Sequence, residues 1–409
     1  MEVVLILLLS IHLLCVAAAT GGPLLCVALE WREARGDSAS GRAGRYLQTA
    51  SLVLLVAGAV VGLGAGAVLW DDVMRDVVTR QLASKVFFGV WELVFSILCM
   101  VGHVVWWKLA PRPALWHRAV RMLLPLAAGT NLLYHFPVLF IVLSRQVAAG
   151  SGGHVIDASA FRHHMIDPEV LSRTLHFWLA AVTAGAIALL PWAWREMKRG
   201  GGAEGLGIGG WGLGDGQTKS AAGRTDNETL GVVRFAARVA LLTALLQFPV
   251  GIWVAAELPP GVQGSVLGGD LVATGLFGAA VLCVMVWLHP LAALSLGDVR
   301  PANMAGALAG LVAIMFLMTA VLERGKPRSA SDDDGRAKSS RSADSIDVVR
   351  SRYTWHGGVP DFVAAYHRID RRQDRLARQH SRQPGLQLLS VSGDDPKRPH
   401  RRDLGAAGV

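Results

Sequence analysis

Charge is what this chain has least of. Asp, Glu, Lys and Arg make up 17% of its 409 residues, where a soluble domain carries about 25%. The shortfall excludes a soluble enzyme of two or three domains, which the length alone would allow. Cysteine is scarce too: Cys15, Cys26, Cys99 and Cys283 each sit inside a long apolar run. With no CxxC, no CxxCH and no Cys/His spacing, a zinc finger, a covalent c-type haem and a disulfide framework are all excluded. The four thiols read as small buried hydrophobes. Even the formal charge of +9 is misleading. From Arg324 onward there are 18 Lys/Arg against 11 Asp/Glu, so the first 323 residues hold 22 basic and 20 acidic groups. A nearly neutral body with a basic tail gives no reason to expect a nucleic-acid partner.

What is abundant is apolar. Hydrophobic residues make up 52% and the mean hydropathy is +0.40. About 20 apolar residues in helix cross a bilayer core of about 30 Å. Eight runs qualify, at roughly 3–28, 46–69, 86–107, 119–143, 171–194, 235–256, 267–288 and 304–322. Lipid cannot hydrate a backbone, so these segments must be helices. The fold class expected is therefore all-α, a polytopic bundle of about eight transmembrane helices over residues 1–323. Ala17-Ala18-Ala19 resembles a signal-peptide cleavage site. No Lys or Arg precedes the apolar run, however, and the run continues past that point, so an uncleaved first span is expected.

Basic residues in loops set orientation. Odd-numbered loops carry 16 of them (the third from Lys108, Arg112, Arg118 and Arg121) and even-numbered loops carry 6. The expectation is a multi-pass protein of the inner (cytoplasmic) membrane with its N-terminus on the periplasmic side. Residues 199–223 are rich in glycine. Gly207, Gly209 and Gly212 form a GxGxxG there, but no strand precedes it, so a flexible cytoplasmic linker is the reading. The tail, 324–409, reads as mostly disordered. Phe362, Ala365, Tyr366, Ile369 and Leu376 stand at helical spacing within it, enough for a short amphipathic helix on anionic lipid or a partner.

Ionisable groups inside spans are expensive and default to functional candidates. They are His12 in the first span, Glu92 and His103 in the third, His135 in the fourth and His176 in the fifth. At ~1.5 Å per residue, His12, His135 and His176 lie about 12–13 Å from the outer ends of their helices and Glu92 about 10 Å. Four groups on four helices thus share one layer, and His103 stands apart near the cytoplasmic side. Asp167-Pro168 reads as an N-cap and N1 pair opening the fifth span. Haem b fits such a layer, since its iron takes one or two axial imidazoles in an apolar slot between helices. A zinc site of three His and Glu92, a proton relay through Glu92, and plain interhelical hydrogen bonds stay open.

Further residues carry a resemblance. Thr130-Asn131-Leu132, Phe161-Arg162, Asp167-Pro168 and the stretch Arg173-Thr174-Leu175-His176-Phe177-Trp178 are similar to the fourth–fifth helix region of cytochrome bd quinol oxidase subunit I. Ile11-His12 followed by Gly21-Gly22-Pro23 resembles that family's N-terminal haem-ligand helix, and Trp91-Glu92-Leu93 falls where it carries acidic residues near its haems. The resemblance covers about residues 1–260. It implies one or two b haems, with His176, His135 and His12 as candidate iron ligands and Arg173 as a propionate partner. Glu92 becomes the candidate catalytic proton carrier. It further implies an oxidoreductase of a respiratory chain, with quinol and a partner subunit or separate c-type cytochrome as partners beside the lipid. This chain differs in having only 257–270 where the family has its long quinol loop, and no Met near Asp270 to match the family's methionine ligand. His135 could take that methionine's place, paired with His176, or join His12 at a second haem. His163 and His164 could line a donor site or form a solvated pair. The competing class is a non-haem membrane protein, a proton-coupled transporter or a scaffold.

Overall fold

A computed structural model describes residues 2–110, 114–150, 152–205 and 216–325. Among these residues there is no strand, and eight helices are long and apolar enough to cross a membrane. They are α1 (Glu2–Ala34), α2 (Ser38–Val68), α3 (Ala83–Leu109), α4 (Leu115–Ala149), α5 (Pro168–Ile187), α6 (Gly216–Ala256), α7 (Leu271–Leu296) and α8 (Pro301–Arg324). After a break at Ala188 and Leu189, α5 continues as Leu190–Gly205. The expected multi-pass helix bundle is what the chain forms. The helices run several residues beyond the apolar stretches, because charged residues at helix ends stay helical. Helix also enters the glycine-rich 199–223 segment from both sides, leaving 206–215 outside the described residues, as is the whole tail from 326 with its amphipathic stretch.

The surface agrees with a lipid environment. Val3, Leu63, Ile252, Leu282 and Val286 are 71%, 76%, 72%, 67% and 73% exposed. Apolar side chains turned outward on every side mark a protein whose solvent is hydrocarbon.

Small residues set how closely the helices approach. A Cβ on Gly21 of α1 would lie 1.9 Å from the Ala181 carbonyl oxygen of α5, and one on Gly185 would lie 2.7 Å from the Gly21 backbone. α1 and α5 therefore cross backbone to backbone. Polar side chains secure other pairs. Thr183 and Thr243 share a 2.7 Å hydroxyl bond between α5 and α6, and Gln247 donates to Thr183 at 3.2 Å. Trp287 of α7 donates to the Ala307 carbonyl of α8 at 2.7 Å. Helix ends carry local stops: Asp37 caps α2 through the Ser40 amide, Asp270 caps α7, and Gly297 closes α7 with φ +102°.

Consecutive spans alternate in direction. The α1–α2, α3–α4 and α7–α8 connections gather on one face, called here the odd face, and the α2–α3, α4–α5 and α6–α7 connections on the other, the even face. On the even face the segments are tied to each other. Asp76 accepts from Arg80 at 2.5 Å, from Gln81 at 2.9 Å and from the Gly152 amide at 3.3 Å, while Arg80 donates to the Gly153 carbonyl at 2.9 Å. The Arg80 hydrogen bonds hold the Asp76 carboxyl far below the usual carboxylate range, with Gln81 and Gly152 adding to the effect.

Candidate functional sites on the two sides of the bundle

His12 on α1 turns toward α2. Its Nδ1 lies 2.8 Å from the Gly58 carbonyl oxygen. A carbonyl only accepts, so Nδ1 carries a proton and, in the neutral imidazole, Nε2 keeps its lone pair. Gly62, one turn further along α2, makes room for the ring, since a Cβ there would stand 2.5 Å from His12 Cε1. Phe140 of α4 meets the imidazole edge-on at 6.4 Å between ring centres.

His135 on α4 and Glu92 on α3 face one another, with Nε2 3.7 Å from Oε1. Asn131, one turn below His135 on α4, donates to the Glu92 carbonyl oxygen and to Ser96 Oγ, both at 2.9 Å, and so pins α3 to α4 at this level. His176 on α5 lies on the seam with α6. Its Cε1 is 3.9 Å from where a Cβ on Gly251 would be, and its Nδ1 is buried without a protein partner. Trp178, two residues on, donates to the Leu133 carbonyl at 2.9 Å, which sets His176 level with His135. Of the layer expected from helix depth, His135, Glu92 and His176 share a level. His12 lies further toward the even face, beside Phe140, five residues beyond His135.

One layer is not one cluster. Three seams separate the groups: α1/α2/α4 for His12, α3/α4 for His135 and Glu92, and α5/α6 for His176. Among the described residues no three His, Cys, Asp or Glu side chains come together to hold a metal ion. The zinc set of three histidines and Glu92 is thus not formed. Rotation of each helix, which depth does not report, decides this.

Other expectations change at the mouth of α5. Asp167 occupies the N-cap position and Pro168 the first turn, but the carboxylate makes no cap bond. It accepts instead from Arg145 at 2.6 Å and His164 at 3.1 Å, an arrangement that lowers its pKa, the Arg145 bond most. Arg173 pairs with Glu169 at 2.8 Å, so a charge anchor on the helix is the contact it makes here. His163 is exposed within the short helix Ala158–Ile166.

Among the described residues, the most deeply buried ionisable group lies elsewhere. Near the odd face, Glu30 of α1, His103 of α3 and Arg121 of α4 are each 0% exposed. Arg121 approaches Glu30 Oε1 with Nη2 at 2.5 Å and Nε at 2.6 Å, and its Nη1 donates to the Ala110 carbonyl at 3.1 Å. His103 Nε2 is 3.1 Å from Glu30 Oε2. Trp107, one turn from His103 on α3, lies 4.5 Å from that imidazole and 5.0 Å beneath the Arg121 guanidinium. Sequence reasoning set His103 aside, did not consider Glu30 and counted Arg121 among loop cations. The available signal was helical spacing: Cys26 and Glu30, and Trp107 and His103, each lie one turn apart on one face.

These features define a polytopic helical membrane protein with half-buried ionisable groups toward the even face and a fully buried set near the odd face. No family model, no curated protein and no solved structure matches the chain.

Proposed function

We propose that the chain is an integral-membrane b-type cytochrome, an electron carrier of the bd-type quinol-oxidase kind, holding one or two b haems in the half of the bilayer nearer the even face. The observation that carries this reading is the His12 arrangement. An axial imidazole needs a basic Nε2 and a ring fixed from behind, and ligating histidines commonly get both by donating the other N–H to a backbone carbonyl. The Gly58 carbonyl does this for His12, and Gly62 gives the ring its place. His176, with a buried unpartnered Nδ1, is the second candidate ligand. His135 has Glu92 beside it, which favours a proton-exchanging pair over a ligand.

A bound haem supplies one-electron redox chemistry. The chain's own residues fix the His12 tautomer, keep water from the ring with Phe140, and set Glu92 and His135 3.7 Å apart, where closing the gap would pass a proton from one to the other. Arg173 reaches a propionate only by leaving Glu169. The absence of CxxCH means that a c-type donor or a partner subunit is separate, and quinol remains a candidate donor. The excess of basic residues in the odd loops supports an inner-membrane protein with the odd face cytoplasmic and the N-terminus periplasmic.

The test is a dithionite-reduced minus oxidised spectrum of the protein purified from haem-replete cells. A b-type α-band is expected, and His12→Ala should remove or shift it. No band, or a band unchanged in both His12→Ala and His176→Ala, overturns the reading. The Glu92–His135 pair favours a second reading, a proton-coupled transporter without haem, which the absence of the band would leave standing.

A further inference from the structure

The buried group near the odd face contains a base without a partner. Arg121 reaches Glu30 Oε1 and His103 Nε2 lies 3.1 Å from Oε2, so Nε2–H donates to the carboxylate and, in the neutral ring, Nδ1 keeps its lone pair. That atom is buried with no protein partner. Helix register shows what lies beside it. A Cβ on Gly44 of α2 would sit 3.0 Å from the Trp107 ring, so these positions face each other. α2 and α3 are antiparallel. One turn toward the even face from that contact is Gln48 on α2 and His103 on α3, which places the two level on facing sides. Gln48 is 0% exposed, and neither its Oε1 nor its Nε2 has a protein partner. Ser51, another turn along the same helix, is 0% exposed with an unpartnered Oγ against the bare Gly22.

Buried polar atoms of this kind are seldom left orphaned, and ordered water is the usual partner where several converge. We propose that Gln48, Ser51 and His103 hold ordered water that makes His103 Nδ1 a buried proton-binding site. This site is independent of the cytochrome reading. In the binding step a hydronium-like water gives up one O–H proton, Nδ1–H forms and neutral water remains. Nε2–H stays on Glu30, which becomes the counter-ion shared by the imidazolium and Arg121. The charged and titratable groups facing the site are Glu30, Glu33 and the Cys26 thiol from α1, Arg45 from α2 and Arg121 from α4. Glu33 and Arg45 pair at 3.6 Å, so they add little net charge.

The experiment is hydrogen–deuterium exchange at the imidazole C2 position, read by mass spectrometry on the full chain in detergent across pH 5–9. A hydrated, protonatable ring exchanges with a pH midpoint, and a dry imidazole locked in an ion pair does not. His103 should take up deuterium with a measurable midpoint, using the exposed His117 as the internal reference. Gln48→Leu should slow uptake at His103 on the order of tenfold, as expected for losing a well-held water, and leave His117 unchanged. Ser51→Ala is the second variant, with a smaller slowing, should Gln48→Leu fail to fold. No uptake at His103 while His117 exchanges overturns the proposal, as does a rate unaffected by both substitutions. The readout needs no haem, so its failure and that of the cytochrome reading are distinguishable.

Discussion

Replacing Arg121 by methionine keeps the length of the side chain and removes its charge. The wild-type guanidinium is 0% exposed and makes two approaches to one Glu30 oxygen, a bond to the Ala110 carbonyl and a stack on Trp107. Its loss strands the Glu30 carboxylate, also 0% exposed, with His103 as its one close partner. Breaking one side of a buried ion pair costs about 3–5 kcal/mol, because the remaining charge stays desolvated. Removing both charges is far milder, since a neutral amide and a thioether need no counter-ion. Arg121→Met should therefore lower the unfolding free energy by about 3–5 kcal/mol, and Glu30→Gln/Arg121→Met by roughly 2 kcal/mol less than the sum of the single substitutions. The assay is SDS titration of the protein in mixed micelles, followed by circular dichroism. Labelling of Cys26, one turn from Glu30 on α1 and 0% exposed, serves as the local probe. A single-variant loss below about 1 kcal/mol, or a double-mutant cycle that simply adds, would refute the assignment of Glu30 and Arg121 as a desolvated, mutually dependent pair.

Two further outcomes follow from the packing and the loops. Gly21→Ala places a methyl where the Ala181 carbonyl already sits 1.9 Å away, and backbone cannot yield as a flexible side chain can. It should cost about 1–3 kcal/mol or more in the same titration, whereas Gly64→Ala, with nothing within 4 Å, should cost under about 1 kcal/mol. On the even face, the folded-state pKa of Asp76 is depressed, so the order it contributes is present above the ordinary aspartate value near 4 and is lost only as pH falls further, through the folded pKa. Acid-protease cleavage at 150–156 should thus stay slow at pH 4 and rise below it. Asp76→Asn, which removes the carboxylate's charge beside Arg80 and Gly152, should speed cleavage by a neutral protease at pH 7.

The hydropathy of the chain by itself determined eight spanning helices. In lipid every backbone N–H and C=O must be bonded within its own segment, so an apolar run of sufficient length has one fold available. The rarity of ionisable residues also marked His12, Glu92, His135 and His176, and fixed rise per residue gave them one expected depth, from which the packing moves His12 toward the even face. Tertiary structure decided everything that depends on rotation about the helix axes. The backbone contact of Gly21 with Ala181 and Gly185, and the space at Gly62, set which way each helix face points. Those rotations send His12 to the Gly58 carbonyl, pair His135 with Glu92 and leave His176 on a separate seam. They also bring Glu30, His103 and Arg121 together from positions 91 residues apart at most. Depth along a helix is local and readable from spacing. The angle around it is set by neighbours remote in sequence, so the most deeply buried charged group among the described residues emerged only once the helices were packed.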